Sequence, residues 1–74
     1  MDLIQFFFNN INRKDITKNS DNLFDEGKID SIDIIALIGE IEKYYNKPLN
    51  SSFINVENFK NFDTIKTMLE EAYE

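Results

Sequence analysis

Apolar residues recur along this chain at the spacing of a helix face, in three separate stretches. Ile4, Phe7, Phe8 and Ile11 fall at i, i+3, i+4 and i+7. This predicts an amphipathic helix from about Asp2 to Asn12, with Asp2 as N-cap or in the first turn. Ile34, Leu37, Ile38, Ile41 and Tyr45 share one face at about 100° per residue, which predicts a second helix from Ser31 to about Asn46. Ile65, Met68, Leu69 and Ala72 repeat the first spacing, predicting a last helix with Asp63 as N-cap. Asn55 is positioned to cap a single short turn through Val56 and Phe59. No segment alternates over strand length. The predicted fold is all-α, a small bundle of three principal helices plus one short helix.

The polar stretches separate these faces. Residues 13–29 form a long connection punctuated by Asn, Ser, Asp and Gly, with Gly27 a turn residue. Loops of this length without regular structure are uncommon and often functional. Leu23, Phe24 and Ile29 are expected to pin it to the core. Asp30 is a good N-cap for the second helix, and Asp33 adds acid where the macrodipole favours it. Pro48 is expected to stop that helix by forcing Lys47 out of helical geometry. A narrower apolar stripe, Ile32, Ile35 and Gly39, runs beside the core stripe. It reads equally as ordinary core under the loop or as an apolar docking strip.

Composition narrows the picture. Seventy-four residues suit one domain spanning 1–74. So small a core usually needs a staple or very regular helix packing. Cysteine and histidine are both absent, which removes disulfides and the ordinary zinc ligands and leaves helix packing. The net charge of −6 argues against nucleic-acid binding, which needs clustered Lys and Arg. The opening "MDLIQFFFNN" lacks a cationic leader and is too short to span a bilayer. The expectation is a cytoplasmic monomer with no membrane insertion. Missing His and Cys also remove the usual catalytic bases and nucleophiles, so an enzyme is not expected. A calcium loop with Gly27 as its sixth position would put Phe24 at the third, where it cannot ligate an ion.

The stretch "LFDEGKIDSID" places Ser31 between Asp30 and Asp33 at the start of the second helix. Read alone, a serine there is a helix cap that satisfies an orphan N–H. The wider stretch "LFDEGKIDSIDIIALIGEIEKYYNKPL" resembles the acyl carrier proteins and the related peptidyl and D-alanyl carrier domains. The likeness covers nearly the whole chain: an amphipathic first helix, a long loop ending in "LFDEGKIDS", a helix starting at the serine, a loop with "NKPL", a short helix at "VENF" and a final helix opened by "FDTIKTM". The family's Asp-Ser-Leu attachment motif is Asp30-Ser31-Ile32 here, with another branched apolar residue in third place.

The resemblance implies a 4′-phosphopantetheine arm, drawn from coenzyme A, attached to Ser31 through a phosphodiester and ending in a thiol that holds acyl or aminoacyl groups. Asp30 matches the acid that helps a phosphopantetheinyl transferase bind its metal during loading. By the same resemblance the second helix is where partners dock, which implies roles for Ile32, Asp33, Ile35, Gly39 and Glu42. The implied partners are that transferase, an adenylating ligase or acyltransferase that loads the arm, and downstream acyl-transfer enzymes. Fatty-acid carriers usually have a heavily acidic second helix. Here Asp33, Glu40 and Glu42 are accompanied by Lys43, and the motifs look closer to stand-alone carriers of amino acids or small acyl groups. The competing reading is a small helical protein–protein adaptor in which Ser31 is only a cap.

Overall fold

The structure is a computed structural model that describes residues 2–74. Its first helix, α1 (Leu3–Asn10), is capped by Asp2, whose carboxylate accepts from the backbone N–H groups of Ile4 (3.0 Å) and Gln5 (3.3 Å). Ile4, Phe7 and Phe8 are buried, as the periodicity predicts. The helix ends two residues before the expected Asn12. Asn12 instead turns the chain at φ 63°, a left-handed geometry that asparagine tolerates, and this leaves Ile11 only half-buried.

The long loop is held as expected, with an addition. Leu23 and Ile29 are buried, Phe24 is half-buried, and Gly27 takes φ 72°. Ile16 is a further buried anchor. It has no periodic neighbours, so only the folded loop reveals it. Backbone N–H groups of Lys28 (2.8 Å) and Ile29 (3.0 Å) both donate to the Leu23 carbonyl, and Leu23 N–H donates to the Lys60 carbonyl at 3.0 Å.

Helix α2 (Ser31–Tyr45) begins as predicted. Leu37 and Ile41 are buried, and Ile34, Ile38 and Tyr45 pack against the core from its margin. Its end is not set by Pro48. Asn46 adopts a left-handed cap at φ 55°, two residues earlier. Beyond it, Glu42 Oε2 accepts from the Leu49 N–H at 2.8 Å and the Lys47 carbonyl accepts from the Tyr73 hydroxyl at 3.1 Å.

Two 3-10 turns follow where one short helix was expected. Val56–Phe59 is the predicted one, capped by Asn55; Ser51–Phe53, capped by Asn50, is additional. Helix α3 (Phe62–Tyr73) is capped by Asn61, not Asp63, which sits in the first turn. The reason is a reciprocal box: Thr64 N–H donates to Asn61 Oδ1 (2.9 Å) and Asn61 N–H donates to Thr64 Oγ1 (3.1 Å). The earlier start brings Phe62 into the core, stacked on Phe8 with centroids 5.4 Å apart.

The three helices enclose Phe7, Phe8, Ile16, Leu23, Leu37, Ile41, Phe59, Ile65 and Met68, all fully buried. No buried residue is polar or charged among the described residues. No strand forms among them either, so the all-α class holds.

Candidate functional site

Ser31 is the first residue of α2 and is exposed. The capping task belongs to its neighbour. Asp30, in extended geometry, accepts the Asp33 N–H on Oδ1 at 3.0 Å, and its carbonyl accepts the Ile34 N–H at 3.0 Å. Asp33 answers through Oδ2, which accepts the Asp30 N–H at 3.2 Å. Two acids thus form the capping box. The Ser31 hydroxyl makes no hydrogen bond among the described residues, which corrects the reading of Ser31 as the cap. The N–H groups of Ser31 and Ile32 likewise have no acceptor there.

A residue the sequence did not single out completes this end of the molecule. Arg13 is the only arginine. Its Nη1 donates to Asp33 Oδ2 at 2.7 Å, its Nε and Nη2 each bind Asp15 at 3.1 Å, and Nη2 also donates to the Lys28 carbonyl. One guanidinium thereby joins the start of the loop, its end and the first turn of α2. The hydrogen bonds with Asp15 hold the Arg13 pKa above its ordinary value and draw the Asp15 carboxyl below its own. A lone arginine among seven lysines was the available signal; its partner Asp33, twenty residues away, was not readable.

The narrow stripe is not core. Ile32 is 74% exposed and Ile35 69%, and Gly39 is exposed too. A Cβ built at Gly39 would meet nothing within 4 Å. These three residues form a free apolar strip running from the Ser31 end along α2.

Glu42 does not join that strip as an open charge. It is half-buried and holds the Leu49 N–H, about 16 Å along the helix axis from Ser31. Asp33 is likewise engaged, by Arg13, and Glu40 accepts from Asn10 Nδ2 at 2.8 Å. All three α2 acids therefore have intramolecular partners. A surface groove between Leu3, Tyr45, Phe62 and Leu69 lies at the far end of α2 and is no part of this site. Among the described residues, no group of His, Cys, Asp or Glu could hold a metal by itself, and no helix is long and apolar enough to cross a membrane.

The phosphopantetheine attachment site family matches residues 9–71. Comparison with curated proteins and with solved structures returns no match. Carrier domains of this family are not themselves catalysts; they work with a phosphopantetheinyl transferase and acyl-handling enzymes. An exposed hydroxyl-bearing helix start, two unpaired N–H groups and an adjacent apolar strip suit such a role. The chain belongs to the phosphopantetheine attachment family, a carrier whose covalent prosthetic group is 4′-phosphopantetheine.

Proposed function

We propose that this chain is an acyl carrier domain with its arm on Ser31. The observation that carries the assignment is the free Ser31 hydroxyl at the first position of α2, beside a neighbour that already performs the capping. A phosphodiester there lies at the positive end of the helix dipole, within reach of the Ser31 and Ile32 N–H groups. When attached, the arm supplies a thiol that holds acyl or aminoacyl groups as thioesters. Asp30 spends one carboxylate oxygen on the cap, and its second has no partner among the described residues. That oxygen is the one to share the transferase's metal during loading.

Ile32 and Ile35 form the docking surface, and Gly39 lets a partner approach the backbone closely. Engagement of Asp33, Glu40 and Glu42 within the chain leaves this face mainly apolar. That favours carriage of amino acids or small acyl groups over the acid-led docking of fatty-acid carriers. The partners are a phosphopantetheinyl transferase, an adenylating ligase or acyltransferase, and downstream acyl-transfer enzymes. The carrier works as a cytoplasmic monomer.

The test is incubation with coenzyme A and a transferase, read by intact mass. The wild type should gain one phosphopantetheine, and Ser31→Ala none. A wild type that stays unmodified would return the adaptor reading. Modification of the alanine variant would move the site elsewhere, to Ser20, Ser51 or Ser52.

A further inference from the structure

Two carboxylates flank Ser31, and the phosphodiester adds a third negative charge beside them. Asp33 lies two residues from Ser31, within the Debye length of about 8–10 Å at physiological salt. Some cation must lessen that repulsion if the loaded form is to be as well held as the unloaded one. Lys28 is the nearest lysine in sequence, but its ammonium is committed to Glu26 (3.3 Å) and to the Asp21 carbonyl (3.3 Å). Arg13 is the cation that reaches the first turn of α2, by its 2.7 Å bond to Asp33.

We propose that Arg13 is the built-in counter-charge and positioning residue of the attachment site, acting through Asp33 on the loaded arm. The inference rests on Ser31 as the attachment point. The geometry makes two contributions separable. Arg13 binds the Asp33 oxygen that also accepts the Asp30 N–H, so it fixes the capping box on which the Ser31 backbone depends. It also neutralises Asp33, so the phosphodiester meets one unpaired carboxylate, Asp30, instead of two. The fork to Asp15, Asp33 and the Lys28 carbonyl needs a planar guanidinium, which a lysine cannot reproduce. With the Arg13 side chain 25% exposed and that of Asp33 22%, the pair is screened less than one on the open surface.

Thermal midpoints of unloaded and loaded protein separate the two contributions. Arg13→Gln should lower both midpoints, because the staple is lost. It should lower the loaded form's midpoint further, by about 2–5 °C at low salt given the sensitivity of domains this size. That extra loss should largely vanish near 1 M salt, where the Debye length falls to about 3 Å. Arg13→Lys keeps the charge and breaks the fork, so it should lower both forms alike. Asp33→Asn removes the acid instead and should favour the loaded form relative to the unloaded one. Equal shifts of both forms in Arg13→Gln, with Ser31 carrying the arm, would reduce Arg13 to a structural staple and overturn the proposal. If Arg13→Gln does not fold, equal shifts in Asp33→Asn have the same force. A wild type that takes up no arm on Ser31 would instead overturn the attachment assignment.

Discussion

Ile35 sits one turn beyond Ser31 with most of its surface in water, which makes it a test of what the strip is for. Surface substitutions away from special features usually change stability by less than about 0.5 kcal/mol, so Ile35→Ala should melt close to wild type. Burying such a side chain at an interface contributes about 1.5–3 kcal/mol, so loading by the transferase should slow by about tenfold or more. A folded variant that loads at the wild-type rate would remove Ile35 from the docking surface used in loading. Glu42 belongs to a different argument. Its carboxylate holds the Leu49 N–H, so Glu42→Lys would disturb the end of α2 before it told anything about docking. The helical wheel left the position of the narrow stripe open, because it assigns residues to faces without saying which neighbour covers each face. The roles of Arg13 and Glu42 were hidden for another reason: each is fixed by a partner the sequence does not place beside it.

At the scale of elements, the apolar spacing located all three helices and the bounds of α2, but it missed the end of α1, the cap of α3 and the residue that stops α2. Helix ends depend on one side chain's choice among competing caps. "NKPL" offers both Asn46 and Pro48, and the left-handed Asn46 acts first. "NFDT" offers both Asn61 and Asp63, and Asn61 prevails because Thr64 reciprocates its bond and its own amide donates to Asp21 Oδ1 at 2.9 Å. Asn61→Ala should therefore cost about 0.5–2 kcal/mol, readable as a lower urea midpoint with an unchanged slope. Asp63→Ala should cost less, because Asp63 contributes only a charge near the dipole. The reverse order would restore Asp63 as the cap. The additional 3-10 turn at Ser51–Phe53 and the buried Ile16 share the same lesson. Single-turn elements and isolated anchors carry no period to read.

At the scale of the whole molecule, the core holds no buried charge among the described residues, and polar ties close it at the surface. Those ties predict how stability depends on pH. The Asn61 amide lowers the Asp21 pKa from its ordinary 3.8, and Arg13 lowers that of Asp15. Lowered carboxyl values contribute stability that is present above the ordinary value and is lost as pH falls through the folded ones. The ties should therefore weaken only below about pH 4. At the other end Tyr45 and Tyr73 stack with centroids 4.1 Å apart, and burial raises both above the ordinary 10.0. Raised values contribute stability that is complete below 10 and fades as pH rises through the folded ones. Thermal midpoints should thus form a plateau across neutral pH, with losses on the acid side below about 4 and on the alkaline side above about 10. A slope through pH 6–8 would contradict this assignment, since the chain has no histidine to titrate there.

The central claim is that the one serine free of capping duty at the start of α2 is the point at which the arm is held. Tandem mass spectrometry of the loaded protein, fragmented across residues 29–33, tests it most directly. The account predicts the phosphopantetheine mass on Ser31 and on no other residue. Fragments that leave Ser31 unmodified while the intact protein carries the arm would contradict it.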